Sequence, residues 1–284
     1  MNDTMKNIER LFAFNDTQER VALIMALDQR EVEAHLQKLS KLIEDDDENV
    51  REAFVEVLSL INNQASRGLL CAAAKDKSSF VRRAAAESMG FRLYDSFSDC
   101  LLELTNDKDE LVRIEAVESL GRLGCLDAEE RLIKMLRADK SPLVRGYAAT
   151  ALVDIGSKKA MAAIRKCLET EKQGHARVRM YSALFQLGDK GALESIIKYL
   201  KSRYYRIRCV TAHILEDLLD NNNKAAIIRE LKLALAKEET IAARTSIEAV
   251  LSEITAPTRR SGVRLRLLTE TLMARDLNSD RGQQ

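Results

Sequence analysis

The chain has 284 residues, and 45 lysines and arginines nearly balance 44 aspartates and glutamates to leave a net charge of +1. Apolar residues are 46% and charged residues 31%, with two prolines and no tryptophan, a composition rich in helix formers that can bury a core. It excludes a strand-rich fold, and no run approaches the roughly 18 apolar residues that a membrane-spanning helix needs. The region around Asp3, Glu9 and Arg10 lacks the long apolar stretch of a secretion signal, so a cytoplasmic location is expected.

In chain order, one pattern returns. Asp76–Gly90 reads DKSSFVRRAAAESMG, Asp107–Gly121 reads DKDELVRIEAVESLG, and Asp139–Leu152 reads DKSPLVRGYAATAL. We number each unit from the residue before its arginine. This position zero falls at Glu19, Val50, Val81, Val112, Val144, Ala176, Ile207 and Ala243, with steps of 31, 31, 31, 32, 32, 31 and 36 residues. The arginine follows each time: Arg20, Arg51, Arg82, Arg113, Arg145, Arg177, Arg208 and Arg244.

Apolar or small residues then recur at positions zero, four, seven, eight and eleven, as in Val112, Ala116, Ser119, Leu120 and Leu123, which is one face of an α-helix. Gly124, Gly156 and Gly188 fill position twelve of three successive units, where a left-handed residue ends a helix. A second apolar-periodic stretch precedes each arginine helix, as in Ala128–Leu136 and Ala160–Leu168, so each unit is a helical hairpin. A single hairpin cannot bury its apolar face, whereas a stack can. The expected fold is all-α, a right-handed α-solenoid of about eight stacked hairpins over residues 1–255. Residues 256–284 are expected to form a basic linker, a capping helix around Val263, Leu267 and Leu268, and a frayed tail.

Five residues before position zero stand Asp45, Asp76, Asp107, Asp139, Glu171 and Glu238, with Ser202 in the seventh unit and Phe14 in the first. Such an acid suits a cap for the second helix, or a ladder with Arg51, Arg82, Arg113, Arg145, Arg177 and Arg208 of neighbouring units.

On the Asp-x-x-x-x-Val-Arg-x-x-Ala-x-x-x-Leu pattern and its period, the chain resembles the short HEAT-like repeats of bacterial proteins, including those of phycobilin lyases. The resemblance covers roughly Met5 to Thr255. It implies that the repeated Asp and Arg are structural and that the second helices line a concave, ligand-holding face. It also brings a chromophore-handling role and, through HEAT-like DNA glycosylases, a DNA-handling one into consideration. The absence of tryptophan and the mixed charge of the second helices weigh against the latter.

Signatures of enzymes are absent: no phosphate-binding or dinucleotide-binding glycine loop, His-Glu-x-x-His helix or Gly-x-Ser-x-Gly elbow occurs. His35, His175 and His213 lie in different units, and the run Glu44–Glu48 lacks calcium-loop spacing. The five cysteines (Cys71, Cys100, Cys125, Cys167 and Cys209) are odd in number and widely spaced, and reduced core thiols are expected rather than a disulfide framework or zinc site. Neither a cofactor nor a metal is called for.

Charge is uneven along the chain. Residues 1–142 hold 20 basic against 28 acidic residues, and residues 143–284 hold 25 against 16. Position six carries Glu56, Glu87 and Glu118, then Thr150, Ser182 and His213, and position three carries Glu115, Tyr147 and Arg179. With Phe91 and Phe185 taken as outward-leaning, these residues form the candidate partner-binding surface, an acidic stripe suited to a basic or helical segment of another protein. A second candidate, Lys198, Lys201, Arg203, Tyr204, Tyr205 and Arg206, interleaves basic residues with tyrosines as phosphate or single-stranded nucleic acid sites do, with one tyrosine expected to pack at the turn. The expected function is a non-catalytic interaction scaffold or regulatory adaptor. The alternatives are nucleic-acid binding through the basic half and a lyase-like handling of a chromophore. The sequence leaves the oligomeric state open.

Overall fold

The computed structural model describes residues 3–91 and 97–256. The basic linker, the capping helix around Val263, Leu267 and Leu268 and the frayed tail expected over 257–284 lie outside the described residues. Every regular element described is helical, and the architecture is that of an α-solenoid. The chain divides into two compact units, Met1–Ile196 and Ile197 onward.

In the first unit the hairpins are α1 (Asp3–Ala13) with α2 (Thr17–Met25), α3 (Gln29–Leu39) with α4 (Glu48–Leu58), and α5 (Gln64–Ala73) with α6 (Ser79–Gly90). They continue as α7 (Ser98–Leu104) with α8 (Glu110–Arg122), α9 (Glu129–Ala138) with α10 (Pro142–Asp154), and α11 (Ala160–Leu168) with α12 (Gly174–Gln186), and α13 (Ala192–Ile197) closes the unit. Each second helix packs on the next, α2 on α4 and so on to α12. The second unit begins with a 3-10 turn, Lys198–Lys201, followed by α14 (Tyr205–Asp217), α15 (Lys224–Leu235) and α16 (Ile241–Thr255), with α16 packed on both α14 and α15.

Positions zero, four and eight carry the core: Val112, Ala116 and Leu120, and Val144, Ala148 and Leu152, are fully buried. Each buried leucine or valine contributes roughly 1.5–3 kcal/mol. Position seven is small for a further reason. Ser88 donates to the Val55 carbonyl at 3.3 Å and Ser119 to that of Ala86 at 2.8 Å, so successive second helices meet at close range. At the helix ends, Gly124 (φ 62°), Gly156 (φ 71°) and Gly188 (φ 101°) adopt the left-handed conformation. After α8, Cys125 N–H reaches the Leu120 carbonyl (3.1 Å) and Gly124 N–H that of Gly121 (2.9 Å), the paired bonds of a Schellman stop.

The repeated acid does not cap the second helix. Asp76, Asp107 and Asp139 each accept from the backbone N–H two residues on (Ser78, Asp109 and Ser141, at 2.7–2.8 Å), and those residues are the N-caps of α6, α8 and α10. The acid orders the turn, and a separate side chain caps the helix. The same acids accept the preceding unit's arginine in two-pronged pairs: Arg51 with Asp76 (2.7 and 2.9 Å), Arg82 with Asp107 (2.6 and 2.8 Å), Arg113 with Asp139 (2.9 Å twice) and Arg145 with Glu171 (2.5 and 2.9 Å). Arg20 pairs likewise with Asp45. Arg51, Arg82, Arg113 and Arg145 also donate back to the carbonyl of their own turn's acid, as Arg82 does to Asp76 at 2.8 Å, whereas Arg20, with Phe14 at that place, donates to the Leu11 carbonyl. Burial alone would raise the Asp76 carboxyl, but hydrogen bonds from Arg51 and the Ser78 N–H hold it below its usual value. After Arg177 the sequence has Ser202 where the neighbouring units carry the acid. The Arg177 guanidinium donates to the Leu168 and Glu171 carbonyls (3.0 and 2.7 Å) and to the Tyr181 hydroxyl (2.9 Å). In the second unit Arg208 pairs with Glu238 at 2.6 and 2.7 Å.

The cysteine expectation is overturned in part. Cys71 on α5 and Cys100 on α7 form a disulfide, with Cα atoms 6.1 Å apart, while Cys125, Cys167 and Cys209 are free. The two are 29 residues apart, close to one repeat, which brings the first helices of consecutive hairpins together. The argument for a reducing compartment therefore loses the support it drew from the thiols.

Candidate functional site

The second-helix face of the first unit gathers most of the candidate residues. Glu56 on α4 is exposed, and Glu87 on α6 and Glu118 on α8 are half-buried. The sequence pattern presented them as a bare acidic stripe. The structure interleaves arginines. Arg83 on α6 lies 3.9 Å from Glu52 on α4, and Arg122 on α8 pairs with Glu115 at 2.6 Å and donates to Ser119 at 2.7 Å. Arg83 and Arg122 are the members that sequence reasoning missed. They occupy positions two and ten, which repeat nothing along the chain; the packing of α6 on α4 brings Arg83 to Glu52, and Arg122 reaches Glu115 two turns back on α8 itself.

Burial pushes the Glu87 carboxyl up to about 7, and the Glu115 charge adds to the rise. Arg83 and Arg122 oppose it, and Glu56 contributes in the same sense as Glu115. The Nε of Arg83 is buried with no acceptor among the described residues. Glu87 thus sits among carboxylates that raise it and guanidiniums that lower it.

Phe91, 53% exposed at the end of α6, carries the Arg122 guanidinium 5.0 Å from its ring centroid. Glycine makes this possible: a Cβ at Gly90 would lie 2.4 Å from Ser119 Oγ and 2.7 Å from Arg122 Nη2. Further along, Arg179 on α12 stacks 3.8 Å from the Tyr147 ring centroid and donates to its hydroxyl at 2.7 Å. Gly146 leaves room for it, since a Cβ there would meet Arg179 Cδ at 3.0 Å.

Three of the residues read as outward-facing are packed away instead. Glu115 and Tyr147 are 9% and 8% exposed: Arg122 of its own helix covers Glu115, and Arg179 of the next second helix covers Tyr147. Phe185 is 6% exposed at position nine of α12, the position that Gly90 and Gly121 hold in α6 and α8. There the following turn covers the ring, with Lys190 Nζ 4.3 Å from its centroid. His213 lies in the second unit, on α14, with Nδ1 3.6 Å from Glu216.

The basic candidate belongs wholly to the second unit. Lys198, Lys201 and Arg203 are exposed and Arg206 is half-buried. Both tyrosines are exposed, contrary to the expectation that one packs at the turn, because each lies outside the core positions at the start of α14. Each is paired with an arginine: Arg203 lies 4.6 Å from the Tyr204 ring centroid and donates to its hydroxyl, and Arg206 lies 5.7 Å from that of Tyr205 and donates to its hydroxyl at 3.2 Å.

Among the described residues no group of three or more His, Cys, Asp or Glu side chains is placed to hold a metal ion, and no helix is long and apolar enough to cross a membrane. No curated protein is significantly similar to the chain. Solved structures share the fold. The complex of CpcE and CpcF of phycocyanin lyase from Nostoc sp. PCC7120 contains a chain 19% identical, with a TM-score of 0.54 over 77% of this chain and 94% of that one. The Escherichia coli protein YibA is 20% identical, with a TM-score of 0.52 over 89% and 93% of the two chains. Kap95p, solved with RanGDP, is 12% identical with a TM-score of 0.52, and the match spans 89% of this chain but 40% of Kap95p. The family model described as HEAT repeats matches residues 5–90, 67–131, 98–184 and 129–216. With matches spanning residues 5–216, and the last arginine of that span, Arg208, paired with Glu238 beyond it, the chain belongs to the HEAT-repeat family.

Proposed function

We propose that the protein is a non-catalytic scaffold that binds a basic, helical segment of another protein on the second-helix face of its first unit. One observation carries the reading: among the described residues, Glu56, Glu87 and Glu115 lie on successive second helices beside Arg83 and Arg122, and the Glu115 and Glu56 charges add to the rise of Glu87 that the two arginines oppose. A cation docked there gains from these carboxylates, and the raised Glu87 ionises more readily beside it. Phe91 supplies an exposed ring at the rim. The Kap95p–Ran and CpcE–CpcF structures are complexes of a similar fold with another protein, in keeping with this use. Cytoplasmic residence remains part of the proposal.

The test is affinity capture from source-cell lysate, with and without nuclease, by the wild-type protein and by Glu87→Lys/Glu118→Lys. A nuclease-resistant protein retained by the first and lost by the second is the expected result, with the variant's melting temperature within a few degrees of wild type. Equal retention by both forms sinks the acidic-face reading. A second reading, nucleic-acid binding by the second unit, is favoured by the two exposed tyrosines stacked with arginines; nuclease-sensitive retention, falling steeply with salt, would select it.

A further inference from the structure

The turn that holds the ladder acid also presents a lysine. The residue directly after the acid is Lys77, Lys108, Lys140 and Lys172 in four successive units, at steps of 31, 32 and 32 residues, and all four side chains are exposed. The preceding turn has Asp46 there, so the row has a defined start. The row is held from below: Arg82 and Arg113 donate to the backbone carbonyls of Lys77 (3.2 Å) and Lys108 (3.3 Å) as well as to the acids beside them. The second helices pack one on the next at about 8–10 Å, so the lysines recur at about that spacing.

Between the turns of Lys108 and Lys140 the surface opens into a cleft of about 400 Å³. Its lining includes Lys108, Lys134, Lys140, Arg113 and Arg131 against the acids Asp107 and Asp139, an excess of three positive charges. Both acids are already engaged, by Arg82 and Arg113. Arg131 is not neutralised in the same way: it donates to Thr105 Oγ1 (2.7 Å), the Thr105 carbonyl (2.9 Å) and Asn106 Oδ1 (2.6 Å), all uncharged. The cleft is therefore electropositive although the half of the chain that contains it is net acidic.

We infer that this turn edge is a second docking surface, for an extended acidic peptide segment lying along Lys77, Lys108, Lys140 and Lys172 and seated in the cleft. An extended chain advances about 3.3 Å per residue, so a carboxylate at every third residue recurs at about 10 Å, the spacing of the lysines. A nucleic acid strand carries a charge about every 3.4 Å along the axis, several times denser than the row. No aromatic residue lines the cleft to stack a base. The inference is independent of the function proposed for the opposite set of charges on the second helices.

The test uses the full chain and fluorescence anisotropy. The probes are a labelled peptide with glutamate at every third residue, its serine-for-glutamate counterpart, and a single-stranded oligothymidylate of matched charge. The glutamate peptide should bind, and the serine peptide should not. Lys108→Glu/Lys140→Glu should weaken it by ~10-fold, a factor worth ~1.4 kcal/mol, while Glu87→Lys/Glu118→Lys should leave it unchanged. If the reversal unfolds the chain, Lys108→Ala/Lys140→Ala serves in its place, with a smaller loss in the same direction. Undiminished affinity in the lysine variants, or tighter binding of the oligothymidylate than of the peptide, overturns the inference. Loss in the Glu87/Glu118 variant instead would do the same, since it would place the peptide elsewhere.

Discussion

Within the first unit the same side-chain types meet on two surfaces under opposite terms. At the turns, each arginine from Arg51 to Arg145 faces one carboxylate, in two-pronged geometry at 2.5–2.9 Å and largely out of water. On the second-helix face, among the described residues, the Arg83–Glu52 pair is 3.9 Å apart and Glu87 is pushed up to about 7. Two-pronged pairing in a dry turn fixes the repeat, whereas the looser pairing on the half-wet face leaves the Glu87 carboxyl strongly perturbed. The contrast teaches that ion pairs in a repeat protein divide by pairing rather than by residue type.

The sharpest way to break this comparison is to remove a rung. Arg113→Ala leaves Asp139 in a largely buried turn without its partner, and breaking a buried pair of this kind costs about 3–5 kcal/mol. Thermal and urea unfolding should show that loss, with partner capture unaffected at temperatures where the variant is folded; an unchanged melting temperature removes the structural role of the ladder. Next is the Cys71–Cys100 bond, which closes a loop of 29 residues between two hairpins. Reducing it, or Cys71→Ser/Cys100→Ser, should lower stability by ~3 kcal/mol in the loop-entropy account, readable by unfolding with and without dithiothreitol.

On the second-helix face, Gly90→Ala inserts a methyl into the space of Ser119 and Arg122, for a loss of about 1–3 kcal/mol. It should also displace Arg122 from Phe91, so its effect on partner affinity should exceed that of Gly68→Ala, where nothing lies within 4 Å. The smallest effect is Glu87→Gln. A carboxyl whose folded-state value lies above its unfolded one binds more protons when folded, so its contribution falls as pH rises from about 4.5 through about 7. The variant should therefore be more stable than wild type at pH 8, by no more than ~1–2 kcal/mol given partial exposure, and the two should converge near pH 4. A wild-type-like slope in the variant between those values would show that another group titrates there.

The ladder was legible because its residues repeat: Asp107 and Arg113 recur at fixed spacing, and a period exposes what any single unit would hide. The glycine stops were legible for a local reason, since Gly124, Gly156 and Gly188 serve a backbone conformation that other residues avoid. The face was less so. Arg83, Gly90 and Arg122 act through contacts between helices of different units, and neither their spacing nor their type marks them beforehand. Phe185 was misread as outward because a helical wheel treats position nine as one environment, whereas here it holds a glycine in two units and a buried ring in a third. The disulfide needed the knowledge that first helices one repeat apart are neighbours, which turns a separation of 29 residues from an arbitrary number into a short distance.

Every rung of the first unit closes almost the same length of chain, 25 residues for Arg20, Arg51 and Arg82 and 26 for Arg113 and Arg145. These ladder contacts are therefore local in sequence, and none of the five waits for the far end of the chain. A topology built of such short closures folds quickly for its size and can nucleate at any hairpin. During synthesis each arginine meets its carboxylate as soon as the next turn has emerged, so the unit can assemble at the pace at which it is made.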